Sequence, residues 1–488
     1  MSDLAGLTAA ELAEAYARRD VSPVEATRAA LDAIDERDAE LNAFVLVDAD
    51  AALKAAAESE ARWTDGTQRG PADGVPTTVK DLERTRGWPT LRGTWLADEA
   101  GPWPEDSPSV ARLREAGAVL IGKTTTPEFG WKGVTDSPRF GITRNPWDPA
   151  LTPGGSSGGS SAAVAAGMGT WSVGTDGGGS VRVPASFTGT VGFKPTGDVI
   201  SSYPPGSNGL LSHRGPITLS VLDAALLLDV IGRPDHRDWA ALPATDRSFA
   251  DGIEAGIEGL SIGYSPDLGY GANHPEVASL VAEAVGVLAG LGAHVTEIEP
   301  VFDDPVRAFQ TLWCAGVART LKPYGPDDLA RVDPALLEYA ERGRGVSAVT
   351  YLDAMAVCAD LGLKMARFHE SYDLLVTPTL PSVAFAAGRN GPTPEQSHVW
   401  ASWTPYTYPF NMTRQPALSV PCGRTRSGLP VGLQLVGARH QDGLVLRAGR
   451  AYERQTGWSP VAEAAQGRAL RAMRATGATG ATGRGQQS

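Results

Sequence analysis

The sequence predicts an α/β fold built on a large, mostly buried sheet, and three observations carry that expectation. Short apolar or β-branched runs alternate with helical stretches along most of the chain. Several of those runs, such as AVLIG at 118–122 and LLVTP at 374–378, are continuously apolar, as strands covered on both faces are. Hydrophobic residues make up 42% and charged residues 20% of the 488, so the chain can bury a sizeable core.

The elements follow in order. A capping box Thr8-x-x-Glu11 opens one helix, and Ser22-Pro23-x-Glu25 opens a second with proline at its first position, which makes about 1–65 a helical N-terminal segment. The run Phe44 to Val47 precedes a helix near 50–63, and GVPTTVKDL at 74–82 reads as a strand ending in Lys80. A helix near 109–116 leads into the strand at 118–122. The alternation resumes with LSIGYS at 260–265, a helix at 275–291, HVTEIE at 294–299, a long helical stretch at 347–370 and LLVTP. ALSVPCG at 417–423 and VGLQLVG at 431–437 flank the turn signal Arg426-Ser427-Gly428, and such a hairpin-like pair would make the sheet mixed. Past Glu463 the chain is rich in Ala, Thr, Gly and Arg with no acid, the composition of a disordered tail. One domain over 1–463 and a tail over 464–488 are therefore expected.

The formal net charge is −13, which disfavours gripping nucleic acid or anionic lipid by overall charge. Cys314, Cys358 and Cys422 are odd in number and far apart, so neither a disulfide framework nor a CxxC metal site can be built, and a reducing cytoplasm is expected. The first thirty residues lack the apolar core of a signal peptide, and no run approaches the roughly 18 apolar residues of a membrane span.

Gly117 to Thr124 matches the phosphate-loop spacing G-x-x-x-x-G-K-T, but its intervening residues are themselves the expected strand and Pro127 interrupts any following helix. The denser signal is GGSSGGSSAAVAAG from Gly154 followed by GTDGGGSVRVPAS from Gly174. A flexible linker is the plain alternative for the first cluster, yet an Ala-rich helix follows it at once. Three glycines before a serine let backbone N–H groups converge on a developing oxyanion, which makes Ser180 a candidate nucleophile with Gly177, Gly178, Gly179 and Ser180 as donors. None of the seven histidines lies in a triad motif, although His213 is nearest; Lys80, if buried among apolar neighbours, would lose its charge and become a base.

Together these two clusters resemble the amidase signature of serine hydrolases that use a Ser-cisSer-Lys triad. The resemblance continues through GVPTTVKDL, IGKTTTPEFG, ITRNPWD, VGFKPT, PFNMTRQPALSVPCG and GLPVGLQLVG, covering roughly residues 5 to 456 and absorbing the phosphate-loop match. It implies an α/β/α sandwich with a large mixed sheet, helices on both faces, and an N-terminal segment that could support a homodimer. It further implies Ser180 as nucleophile, Ser156 as bridging serine with Ser157 as fallback, Lys80 as base and a cis Gly155-Ser156 peptide. Asp176 and Arg182 are read as bracing the nucleophile loop. No metal or organic cofactor is needed for the implied reaction, in which a small-molecule amide acylates Ser180 and water releases the acid. Trp400 to Phe410, with Trp131, suggests an apolar wall favouring aryl or hydrophobic amides, with ester cleavage as a side reaction. The alternative within the family is the A subunit of a glutamyl-tRNA amidotransferase, whose N-L-A-G-L-P approach to the late strand differs from Phe410-Asn411-Met412-Thr413-Arg414. A non-catalytic protein on the same scaffold would have lost a triad member, and all three are present.

Overall fold

Both N-terminal capping boxes form in the computed structural model, which describes residues 3–458. Thr8 Oγ1 accepts from Glu11 N while the Glu11 carboxylate accepts from Thr8 N, opening the helix Ala9–Arg18; Ser22 and Glu25 do the same for Pro23–Leu41. The tail expected at 464–488 lies outside the described residues.

The strands are β1 (Phe44–Val47), β2 (Pro76–Lys80), β3 (Val119–Thr124), β4 (Asp136–Ser137), β5 (Gly141–Ile142), β6 (Trp171–Asp176), β7 (Val191–Lys194) and β8 (His213–Thr218). They continue with β9 (Ser261–Tyr264), β10 (His294–Glu297), β11 (Leu374–Pro378), β12 (Ala417–Arg424) and β13 (Pro430–Gly437). β4 and β5 form a small ribbon; the rest make one eleven-stranded sheet in the order β1-β3-β2-β6-β8-β7-β12-β13-β11-β9-β10. β2 runs parallel to β3 and β6, whereas β12 and β13 pair antiparallel as the hairpin signal predicts, so the sheet is mixed.

Alternate residues of single strands enter different cores, which shows cover on both faces. In β11, Leu374 and Val376 pack with the helices Val221–Ile231 and Pro275–Gly290, while Leu375 faces Val306–Leu321 and Ala348–Phe368. In β3, Leu120 joins the first of these cores, and Val119 and Ile121 pack on Pro23–Leu41 and Gly158–Ala165. β8 is hidden in the sequence, because its Gly215-Pro216 has the look of a turn. In the fold Gly215 is required, because a Cβ there would collide with the Phe193 carbonyl of neighbouring β7. Among the described residues no single helix is long and apolar enough to cross a membrane.

Candidate active site

β2 and β6 lie side by side and parallel, so their carboxyl ends, Lys80 and Asp176, emerge at the same edge. Ligands of open α/β sheets bind at such edges. The chain leaves β6 through Gly177-Gly178-Gly179-Ser180-Val181 and enters the helix Arg182–Thr188. The other Gly/Ser cluster is no linker: residues 154–158 are buried, the Gly155-Ser156 peptide is cis, and Ser157 leads into the buried helix Gly158–Ala165.

Lys80 is fully buried, and the partners of its Nζ are three hydroxyls: Ser156 Oγ at 2.7 Å, Thr175 Oγ1 at 2.8 Å and Ser157 Oγ at 2.9 Å. Burial pushes its pKa well below the ordinary lysine value, against the opposing charges of Asp176 and Glu83. A neutral amine offers two N–H donors and one lone pair, so one hydroxyl must donate to nitrogen. Ser157 donates to the Thr175 carbonyl, which leaves Ser156 or Thr175 as that hydroxyl. Both serines of the GGSSGG pair thus reach Lys80, but their surroundings differ. Ser157 Oγ also bonds the backbone of Thr175, as donor to its carbonyl at 3.1 Å and acceptor from its N–H at 3.3 Å, whereas Ser156 lines the cavity that holds Ser180. Ser180 Oγ has no hydrogen-bond partner among the described residues and faces that cavity.

Asp176 and Arg182 are fully buried, which excludes solvated loop charges. The Asp176 Oδ1 atom accepts from Gly179 N at 2.7 Å, Arg182 Nη2 at 3.0 Å and Asn411 Nδ2 at 2.9 Å; Oδ2 accepts from Val181 N at 3.1 Å and Arg182 Nε at 3.0 Å. Burial alone would raise this carboxyl, but the Arg182 guanidinium and the Asn411 amide outweigh it and hold it well below the usual carboxylate range. Arg182 also donates to Thr407 O, Gln434 Oε1 and Asn411 Oδ1. Asn411, Thr407 and Gln434 were missed by sequence reasoning, although Asn411 and Gln434 sit in motifs that carried the resemblance and Thr407 in the aromatic segment beside them.

This bracing narrows the expected donor set. The Gly179 N–H is consumed by Asp176 and is not available to an oxyanion, whereas the N–H groups of Gly177, Gly178 and Ser180 have no acceptor among the described residues. Gly179 has φ 128°, and a Cβ there would lie 2.7 Å from Thr407 Cβ. His213 also lines the cavity; burial holds its imidazole well below its ordinary pKa, with Nδ1 on Leu211 O at 2.9 Å and no bond to Ser180.

The cavity encloses about 380 Å³, and its aromatic lining is Phe129, Trp313 and Tyr324. The wall expected from Trp400 to Phe410 with Trp131 is therefore misplaced. Trp131, Trp400, Trp403, Tyr406, Tyr408 and Phe410 are buried core, and Trp400 packs behind the site, against Trp313 at 5.1 Å and against Gly178. Aromatic density in a sequence does not distinguish a wall from the packing behind it. Lys123 of the phosphate-loop look-alike is also accounted for, since its Nζ is buried against Asp81 at 2.8 Å. Among the described residues no cluster of His, Cys, Asp or Glu could hold a metal ion.

The family model described as Amidase matches residues 25–446. The chain belongs to the amidase signature family. It is 36% identical over 464 residues to an acylamidase of Rhodococcus erythropolis, covering 93% of this chain and 96% of that protein. It is 35% identical over 478 residues to the A subunit of the glutamyl-tRNA(Gln) amidotransferase of Myxococcus xanthus, covering 93% and 98%. The crystal structure of a bacterial aryl acylamidase of the same family superposes with a TM-score of 0.85 at 30% identity, covering 95% of this chain and 98% of that one. The amidase is thus a hydrolase of amide C–N bonds, and its mixed sheet with helices on both faces is the family fold.

Proposed function

We propose that this amidase is a stand-alone serine hydrolase in which Ser180 attacks the amide carbonyl, Ser156 relays the proton and Lys80 accepts it. The observation that carries this reading is the buried Lys80 amine, held among hydroxyls 2.7 Å from Ser156 Oγ, where burial pushes its pKa well below the ordinary lysine value. As Ser180 Oγ bonds to the carbonyl carbon, its proton passes to Ser156 and that of Ser156 to Lys80. Gly177, Gly178 and Ser180 N–H groups receive the oxyanion, a function worth about 2.7 to 4 kcal/mol per donor in a serine protease. The proton returns through Ser156 to the leaving amine, and water cleaves the acyl-enzyme by the reverse relay. No step calls on a cofactor. Phe129, Trp313 and Tyr324 support aryl or other apolar amides as substrates, and an acyl-enzyme route would also cleave esters.

The A-subunit reading draws on relatives such as the Myxococcus protein. One assay separates the two: amine or ammonia release from glutamine, benzamide, a fatty primary amide and a nitroanilide by wild type and Ser180→Ala. Turnover of aryl or fatty amides that disappears in the variant supports the stand-alone enzyme. Ammonia from glutamine alone supports the amidotransferase reading, and turnover that survives the substitution removes Ser180 from the mechanism.

A further inference from the structure

Among the described residues the charged ones lining the cavity are Glu83, Arg92, Arg214 and Arg319, three cations to one anion in a chain of net charge −13. Glu83 and Arg214 answer each other, with Arg214 Nε donating to Glu83 Oε1 at 2.8 Å. Arg319 is exposed at the rim and reaches only the Gly206 and Ser207 carbonyls, at 3.5 and 3.4 Å. Arg92 differs from both. It is half-buried, and among the described residues its guanidinium has neither a hydrogen-bond acceptor nor an ion-pair partner.

Its position is tightly specified. The Asp81 carboxylate accepts from Leu91 N and Arg92 N at 3.1 and 2.7 Å and is itself held by Lys123 at 2.8 Å. On the other side Phe129 N donates to Arg92 O at 2.8 Å. Arg92 has φ 55° and Gly93 φ 68°, a left-handed pair in which a long side chain is an unusual occupant. Asp81 and Tyr324 favour the charged guanidinium without an ion pair, the Asp81 carboxylate being bonded to Lys123 and the backbone, and burial together with the neighbouring Arg84 outweighs them. A partly desolvated cation without a counterion is costly, and a planar guanidinium matches a carboxylate in two parallel hydrogen bonds.

We infer that Arg92 anchors a carboxylate of the substrate, so that the amides this enzyme takes carry an anionic carboxylate besides the scissile amide, with Arg319 adding positive charge at the rim. This rests on the proposed function, because it takes the cavity holding Ser180 as the substrate's. Phe129 and Tyr324, ring centroids 6.2 Å apart beside Arg92, suit a benzoate or the chain of a dicarboxylic monoamide.

The test compares matched substrates. On the acyl side, succinyl and glutaryl p-nitroanilide are set against butyryl and valeryl p-nitroanilide; on the amine side, para-acetamidobenzoate is set against acetanilide. The variant is Arg92→Asn, since asparagine accepts left-handed backbone. The expected result is a kcat/KM about tenfold or more higher for the carboxylate partner on at least one side, carried by KM. Arg92→Asn should bring that ratio near one while the neutral amide keeps its rate. Equal or better turnover of the neutral partners on both sides by wild type, or equal losses on both classes in Arg92→Asn, overturns the inference and leaves the Ser180 reading intact. If nothing is turned over, calorimetry of glutarate monoanilide with Ser180→Ala, alone and combined with Arg92→Asn, reads the anchor without chemistry. Binding that requires Arg92 upholds the anchor; no binding, or binding indifferent to Arg92, overturns it.

Discussion

Replacing Asp176 by asparagine keeps the shape of the side chain and removes its charge and one of its two acceptor atoms. The amide nitrogen is best accommodated at the Oδ2 position, which has fewer donors, but there it faces Val181 N and Arg182 Nε, two donors that then lose their acceptor. One of these bonds is to a charged group, and Arg182 is left fully buried beside a neutral side chain. Losing one partner of a buried pair costs about 3 to 5 kcal/mol, and the two lost bonds, at about 1 to 3 kcal/mol each, give a similar range. Urea unfolding should therefore show Asp176→Asn less stable by about 3 to 5 kcal/mol. Measured below its unfolding transition, kcat should fall by about a hundredfold, because the released carboxylate bonds are those that shape the backbone around Ser180. A double-mutant cycle with Arg182→Met checks the cause. The double variant should be less destabilised than the sum of the singles, since no buried charge remains. An Asp176→Asn protein as stable and active as wild type, or strict additivity in the cycle, would refute this account of the loop.

Four further outcomes follow from the same geometry. Ser156→Ala should reduce amide turnover by about a thousandfold or more, whereas Ser157→Ala, which loses a contact to Lys80 but no group lining the cavity, should stay within about tenfold; steady-state kinetics on one nitroanilide decides between the two serines. Because Lys80 must be neutral to act and its folded pKa lies below the unfolded 10.5, kcat/KM should rise with pH through the folded value, and Lys80→Met should abolish activity. The unfolded chain binds that proton up to 10.5 and the folded one does not, so stability falls as pH drops from 10.5 toward the folded value and no further below it; Lys80→Met should remove this slope from pH-dependent unfolding. Gly179→Ala places a Cβ 2.7 Å from Thr407 Cβ at φ 128°, and should lower stability by more than about 1 kcal/mol, as measured by urea unfolding, while reducing kcat.

Much of this protein is legible in its sequence, and the legible parts share a property. The capping boxes at Thr8 and Ser22, the strand ending in Lys80, the β12–β13 hairpin and the run from Asp176 to Arg182 are each written in consecutive residues, where chain geometry alone sets what can meet. The helices Val306–Leu321 and Pro334–Arg344, which pack behind the site, are less legible, and Gly215-Pro216 disguises β8.

The α/β alternation and the two Gly/Ser clusters with the strand that ends in Lys80 are thus properties of the sequence alone. What surrounds each of those residues is a property of the folded chain. Folding assigned three hydroxyls to Lys80, gave the Gly179 N–H to Asp176, buried Trp400 behind Trp313, and left the Arg92 guanidinium with no hydrogen-bond or ion-pair partner among the described residues. The partners come from distant segments, Asn411 reaching Asp176 across 235 positions and Gln434 reaching Arg182 across 252. Whether a buried group is charged, and what ligand it selects, depends on the donors, acceptors and charges around it, and those neighbours exist only once the chain has folded.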